Sequence, residues 1–180
     1  MTKNILVFGA SSSKASINKR FATFTANQLQ DANIDLLDLN DFEMPIYSID
    51  REKESGIHPL AEAFKEKIRN ADGIIISFAE HNGSYSAAYK NIYDWVSRIE
   101  KDVWLNKPMH LMATSPGGRG GQFVLETATK GYKFANSNSI STFSLPSFMQ
   151  NFSDEDGIKD EALKTEFEAQ LAIFKMAVWG

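Results

Sequence analysis

Cysteine is absent from the 180 residues of the chain. This absence excludes disulfide bonds, thiolate nucleophiles, iron–sulfur clusters and cysteine-ligated zinc, and it leaves the redox compartment undecided. His58 and His110 have no partners at metal-ligand spacing, so we expect no metal site. The sequence also lacks a G-x-S-x-G elbow and a convincing Ser-His-Asp set, which argues against a serine hydrolase.

Strong charge and long hydrophobic runs are missing as well. The net charge is −4 and no cluster of Lys and Arg stands out, which argues against a nucleic-acid partner. No run of about 20 apolar residues could span a bilayer, and the N-terminus lacks the pattern of a cleaved signal. We therefore expect a cytoplasmic protein without a membrane partner. The length and the 43% hydrophobic content suit a single domain, residues 1–180.

Short apolar runs alternate along the chain with segments in which apolar residues recur at three- and four-residue spacing. The runs predict strands that are buried on both faces, and the spacing predicts amphipathic helices. The predicted strands are residues 5–8, 34–39, 73–78, 109–114 and 139–145. Residues 40–58 look irregular, although residues 44–47 could pack down as a lid or an edge, and residues 146–157 are predicted to be a loop.

The alternation of strand and helix occurs five times, which predicts a parallel sheet with helices on both faces. We therefore predict an α/β fold of the flavodoxin-like kind. It is a three-layer α/β/α sandwich whose five-stranded parallel sheet has the order 2-1-3-4-5. The ligand site of that fold lies where the order switches, between the first and third strands. The loops at that point are residues 9–18 and 79–84, with residues 115–121 beside them.

The first of these loops is rich in hydroxyl groups and leads into a helix. A helix N-terminus supplies free N–H groups and a partial positive charge, which together suit a phosphate. The alternative is that Ser13 or Ser16 only caps the helix, and both interpretations stay open. No Walker motif is present, which argues against a nucleoside triphosphate bound through Mg²⁺. The G-x-G-x-x-G fingerprint of dinucleotide-binding folds is also absent. The candidate donors are Ser11, Ser12, Ser13, Ser16 and Asn18.

The other two loops carry turn chemistry. Residues 80–83 contain Asn-Gly, which can adopt positive φ and expose backbone N–H groups. Residues 115–121 contain four glycines, which let a backbone pass close to a ligand. Three plainer interpretations stay open: His81 as an exposed turn residue, Glu80 as a charge at a helix N-terminus, and Arg119 as a surface arginine.

Residues 79–98 resemble a continuous motif of the NADPH-dependent FMN reductase family, which includes quinone, azo-dye and chromate reductases. The family motif is P-E-Y-N-x-S followed by L-K-N-A-x-D-W-x-S-R. Ala79 stands here in place of the proline and His81 in place of the tyrosine. The matching residues are Glu80, Asn82, Ser84, Lys90, Asn91, Asp94, Trp95, Ser97 and Arg98.

The other two loops carry further parts of the resemblance. Residues 9–18 are similar to G-S-x-R-x-x-S-x-N, but Ala10 and Ser13 occupy the Gly and Arg positions. The missing arginine removes a charge-assisted contact of roughly 1.5–3 kcal/mol, and Lys14 is the candidate to replace it. Residues 115–121 resemble the family stretch S-P-G-G-x-x-G-G.

The resemblance implies FMN as cofactor and NADPH or NADH as co-substrate. The expected reaction passes hydride from NAD(P)H to the flavin and on to a quinone, azo compound, metal oxyanion or free flavin. No catalytic residue is named, because the hydride step needs no protein acid or base. The implied cofactor-binding residues are Ser11, Ser13, Ser16, Ile17, Asn18, Glu80, His81, Asn82, Gly83, Ser115, Gly117 and Gly118.

The expected partners are a small-molecule electron acceptor and further copies of the chain, because the resemblance implies a homodimer or homotetramer. Tyr89 and Tyr93 recur at i,i+4 beside the core face of their helix, so a dimer interface stays open alongside a core role. The alternative function is a non-catalytic FMN-binding electron carrier or redox sensor. A chain that has lost the flavin and kept the fold is a third possibility.

Overall fold

The computed structural model describes all 180 residues around one central sheet. Its strands are β1 (Lys3–Ala10), β2 (Ala32–Leu37), β3 (Gly73–Phe78), β4 (Met109–Thr114) and β5 (Ile140–Leu145). All neighbouring strands are parallel, in the order β2-β1-β3-β4-β5. The predicted fold class and strand order are therefore confirmed.

Helices cover both faces of this sheet. They are α1 (Ile17–Ala26), α2 (Ile49–Ser55), α3 (Pro59–Asn70), α4 (Ala87–Val96), α5 (Gln122–Ala135), α6 (Phe148–Asn151) and α7 (Glu161–Trp179). One core joins the sheet to α3, α4 and α5, and the second joins it to α1 and α7. None of these helices has the length and apolar character needed to cross a bilayer.

Alternate residues of each central strand enter opposite cores, as the two-residue period of a strand requires. On β1, Leu6 and Phe8 lie in the first core, whereas Ile5 and Val7 lie in the second. Both faces of the strand must therefore be apolar, and this explains the unbroken hydrophobic runs in the sequence.

Two segments differ from their predicted structure. Residues 40–58 are not irregular: they include part of a 3-10 helix (Leu39–Phe42) and all of α2, whose N-cap Ser48 accepts a hydrogen bond from the backbone N–H of Arg51. Residues 146–157 are not a plain loop, because they include α6 and most of a small hairpin. These elements are too short for a hydrophobic period to develop, so periodicity alone could not find them.

The segment Met44–Tyr47 packs against α4. The Asn91 side chain accepts from the backbone N–H of Tyr47 at 2.8 Å and donates to the carbonyl of Met44 at 2.9 Å. The indole N–H of Trp95 donates to the carbonyl of Pro45 at 2.8 Å. Two residues of the α4 motif therefore hold this segment down.

Tyr89 lies in the first core and not on a surface. It is 1% exposed, and its hydroxyl forms a hydrogen bond with that of Tyr132. Tyr93 is half-buried and stacks on Trp104. The core interpretation is correct for Tyr89, and the suggested dimer interface through this residue is wrong.

The second core contains a buried histidine, His110 on β4. Its Nδ1 lies 2.8 Å from Oγ of Ser141, its Nε2 has no partner, and the ring packs near Phe167 and Phe174 of α7. Burial lowers the pKa of His110 from its ordinary 6.5 to about 3. The imidazole is therefore neutral at physiological pH.

We predict that this histidine makes the fold sensitive to acid. Below about pH 6.5 the unfolded chain takes up a proton at His110 and the folded chain does not, so the free energy of unfolding should fall by about 1.4 kcal/mol per pH unit. His110→Gln does not titrate and should lack this slope. Urea unfolding of both proteins between pH 7 and pH 4.5 measures the difference. Parallel stability curves would contradict the prediction.

Candidate functional site

The three predicted loops meet at one edge of the sheet. They follow β1, β3 and β4, which are adjacent and parallel, so their carboxyl ends lie together. Ser86 caps α4 and also donates through its hydroxyl to the carbonyl of Ala10, at 2.8 Å, which joins the second loop to the end of β1. Sequence reasoning missed Ser86, although its position at the start of a helical pattern is a capping signal.

Asn18 joins α1 to two strands. Its Oδ1 accepts from Oγ of Ser77 at 2.8 Å and from the backbone N–H of Thr114 at 3.1 Å, while Nδ2 donates to the carbonyl of Thr114 at 3.1 Å. The side chain is 3% exposed. Both lone pairs of its oxygen are therefore used inside the protein, and its role in the site is to hold the loops in register.

The first loop combines a capped helix with free backbone donors. Oγ of Ser16 accepts from the backbone N–H of Lys19 at 3.1 Å, so the capping interpretation is correct. A capping oxygen accepts this bond and still keeps its own hydrogen to donate, so capping does not exclude a ligand contact. Within this loop and the start of α1, five backbone N–H groups have no partner in the protein. They belong to Ser12, Lys14, Ala15, Ile17 and Asn18.

Most of the cations near the first loop are already paired. Lys19 forms an ion pair with Asp38, and this contact with Lys19 lowers the pKa of Asp38 to about 2. Arg20 pairs with Asp154 at 2.9 Å. Lys14 is exposed and makes no ion pair or hydrogen bond, so its charge is available to an anion in this loop.

The second loop is the tip of a two-stranded hairpin. Glu80 and His81 pair with Tyr85 and Ser84, and the two central residues, Asn82 and Gly83, have φ values of 52° and 74°. Two successive positive φ angles define a type I′ turn, which Asn-Gly favours. The predicted positive φ is confirmed. The hairpin around this turn was not predicted from the sequence. His81 lies exposed on it.

Glu80 connects this hairpin to the third loop. Its Oε2 accepts from the backbone N–H of Val124 at 3.0 Å, in the first turn of α5. The N-cap residue of α5 is Gly121, which has no side chain to offer, so Glu80 supplies the missing cap and a favourable charge. The interpretation of Glu80 as a helix N-terminal charge is correct, although the helix is not the one that follows it directly.

The glycines of the third loop fall into two kinds. Gly120 and Gly121 have positive φ, and a side chain at Gly120 would collide with Oγ of Ser144. Gly117 and Gly118 have ordinary φ, and an added methyl group at Gly118 would meet no atom within 4 Å. Neither strain nor packing requires glycine at these two positions, so their bare backbone leaves room for a ligand.

A cleft of about 490 Å³ lies between the second and third loops. Its lining residues are Glu80, Gly83, Ser115, Gly117, Gly118, Arg119 and Phe123. Five of these were predicted site residues. Arg119 was not among the predicted cofactor-binding residues, and Phe123 was missed because no motif marks it.

A second groove, of about 350 Å³, runs from the first loop along α4. Its lining residues include Ser12, Met44, Ile46, Ala88 and Asn91. Sequence reasoning did not place residues 39–46 at the site, although their possible packing as a lid was noted.

These features fit a flavin mononucleotide. Unpaired N–H groups at a helix N-terminus suit a phosphate, and a glycine-walled cleft beside them suits a flat ring. A flavodoxin-like sheet with both features at its switch point belongs to the class of mononucleotide-binding domains that carry flavin.

Comparison with known proteins agrees with this class. The profile of a family described as NADPH-dependent FMN reductase matches residues 3–150. An NADPH:quinone oxidoreductase of Arabidopsis thaliana is 31% identical over 151 residues, which cover 82% of this chain and 75% of that protein. A 2-hydroxy-1,4-benzoquinone reductase of a Burkholderia species is 35% identical over 122 residues, covering 67% and 64%.

The fold is also found among solved structures. FerB, a flavoenzyme NAD(P)H:(acceptor) oxidoreductase from Paracoccus denitrificans, superposes with a TM-score of 0.73 at 20% identity, covering 97% of this chain and 98% of that one. The present chain belongs to the NADPH-dependent FMN reductase family. It is an oxidoreductase with FMN as its cofactor and NAD(P)H as its reductant.

We predict that removal of the Asn18 side chain destabilises the whole site. Asn18→Ala leaves the buried hydroxyl of Ser77 and the N–H of Thr114 without partners, at a cost of about 3 kcal/mol. Urea unfolding followed by circular dichroism measures this loss. Asn27→Ala at the exposed end of the same helix is the control and should cost less than about 0.5 kcal/mol. Equal stability of the two variants would contradict the assigned role of Asn18.

Proposed function

We propose that this protein is a quinone reductase, which uses FMN to pass electrons from NADPH to a small quinone. The observation that carries the proposal is the cleft between the second and third loops, which is open to solvent beside a phosphate-type loop. The quinone acceptors named for the Arabidopsis and Burkholderia relatives support the choice of acceptor. Azo compounds, metal oxyanions and free flavin are the other acceptors to be tested.

In the proposed binding mode, the first loop holds the phosphate and the other two loops flank the ring. Hydroxyl and backbone donors of Ser11, Ser13, Ser16, Ile17 and Asn18 serve the phosphate. The backbone and edges of residues 80–83 and 115–118 serve the ring. Lys14 supplies the positive charge that an arginine at position 13 would give in the family motif.

Bound FMN supplies two-electron redox chemistry. The work of the protein is to position the ring, to limit access to one face and to present polar groups at its edge. Glu80 is committed to the N-terminus of α5 and is not a general acid in this scheme.

An anaerobic titration tests the proposed function. The purified protein is loaded with FMN, and NADPH is added under argon while the flavin absorbance is followed. We expect bleaching, followed by reoxidation that is faster with a quinone than with an azo dye, chromate or free FMN. A yellow protein that does not bleach would be an electron carrier or sensor. A colourless protein that refuses FMN would have lost the cofactor.

We predict that Ser16→Asp abolishes FMN binding without unfolding the chain. Aspartate is a good N-cap, so α1 should keep its stability, but the carboxylate would repel the phosphate. FMN affinity, measured by fluorescence quenching, should fall more than 100-fold, which corresponds to about 2.7 kcal/mol. Ser48→Asp, which makes the same change at the N-cap of α2, is the matched control and should bind FMN normally. Undiminished affinity in Ser16→Asp would mean that this serine only caps the helix.

We also propose that the chain is a single FMN-binding domain, residues 1–180, and acts in the cytoplasm as a homodimer or homotetramer. Large apolar side chains exposed on the protomer support self-association: Phe134 is 95% exposed, Met149 68% and Met176 74%. Light scattering coupled to gel filtration measures the mass of the assembly. A monomer at micromolar concentration would reject this proposal.

A further inference from the structure

Arg119 and Phe123 lie side by side at the mouth of the cleft. The guanidinium carbon of Arg119 is 5.2 Å from the centre of the Phe123 ring, within the range of a cation–π contact. Both residues are exposed, and Phe123 is 48% accessible. Phe123 belongs to the first turn of α5, and Arg119 precedes that helix in the third loop, next to the bare backbone of Gly117 and Gly118.

Arg119 has no polar partner in the chain, unlike the other arginines. Arg20, Arg69 and Arg98 pair with carboxylates, and Arg51 donates to a backbone carbonyl. None of the nearby carboxylates pairs with it: Glu80 accepts from the N–H of Val124, Glu126 accepts from the amide of Gln122, and Glu166, which lines an adjoining pocket with Arg119, forms no ion pair with it. The guanidinium of Arg119 therefore makes no ion pair within the chain, and its charge is exposed at the cleft where an anion can reach it.

This pair suits one kind of small molecule better than others. A planar aromatic compound can pack against the Phe123 ring, and an anionic group on it can form charge-assisted hydrogen bonds with the guanidinium. Contact with the ring also restrains the guanidinium, so less side-chain entropy is lost when the anion binds. A neutral quinone would gain only the ring contact.

We propose that Arg119 and Phe123 form a specificity site that selects planar electron acceptors carrying an anionic group, such as a sulfonate or an ionised hydroxyl. The inference rests on the proposed function, because it names the acceptor class of the same cleft. The selection is electrostatic and lies at a partly solvated rim. It should therefore act on capture of the acceptor and weaken as salt rises.

The experiment compares two acceptors that share a ring system, 1,2-naphthoquinone-4-sulfonate and 1,2-naphthoquinone. In Arg119→Gln, kcat/KM for the sulfonate should fall about five- to tenfold, while the value for the neutral quinone stays within about twofold. Arg119→Lys should keep part of the preference, because the charge remains. Phe123→Leu should lower kcat/KM for both quinones by about threefold, since ring packing serves both.

A matched control separates local from overall charge. Lys133→Gln removes one positive charge from the exposed last turn of α5, and Lys133 makes no ion pair. This variant should keep the wild-type preference for the sulfonate. If Lys133→Gln and Arg119→Gln lost the preference for the sulfonate equally, the preference would come from the net charge of the protein, and the proposal would be overturned.

Two further measurements make the outcome unambiguous. If the 2′-phosphate of NADPH is the true anion, Arg119→Gln will raise KM for NADPH but not for NADH and leave the ratio between the two quinones unchanged, which overturns the proposal.

Calorimetric titration of both quinones into the oxidised protein needs no turnover. A wild-type protein that reduces neither quinone would refute the proposed function, while the calorimetric preference for the sulfonate, and its loss in Arg119→Gln, would still decide the role of Arg119.

Discussion

The site depends on the buried hydrogen bonds of one side chain, that of Asn18. Strands β3 and β4 would align their carboxyl ends in any parallel sheet, but alignment alone does not fix where α1 begins relative to them. The Asn18 amide sets this position, because it satisfies the hydroxyl of Ser77 and both backbone groups of Thr114 within the protein interior. A polar group buried this deeply is costly unless it is fully paired, so few other placements of the loop are possible.

Most residues that match the family motif hold the loops in place. Two residues that depart from the motif face solvent instead. Ser16 and Asn18 serve α1, while Asn91 and Trp95 fasten the segment Met44–Tyr47. By contrast, the departures Ser13 and His81 are exposed. A substitution at an exposed loop position changes what the cleft offers a ligand without disturbing its frame, which explains how the fold persists while the motif varies.

The sequence predicts the sheet better than it predicts the connections. The strands are recognisable because burial on both faces demands unbroken apolar runs. The elements α2 and α6 are too short to show a period, and the hydrogen bond from Val124 to Glu80 joins positions 44 residues apart. Local chemistry does identify the Asn82-Gly83 turn, since its conformation depends on two adjacent residues alone. Phe123 could not be assigned to the site, because an aromatic residue near a helix start has no signature of its own.

The charges around the cleft explain how the protein can differentiate between partners while leaving the redox chemistry to its cofactor. Most charged groups of this edge are already engaged: Lys19 pairs with Asp38, Arg20 pairs with Asp154, and Glu80 accepts a hydrogen bond at the N-terminus of α5. These pairs fix the loops and contribute little field to the space outside them. The unpaired cations therefore determine what approaches, with Lys14 at the phosphate loop and Arg119 at the ring cleft. A cofactor phosphate and an anionic acceptor would then be drawn to different ends of one site, and neither charge would need to take part in electron transfer.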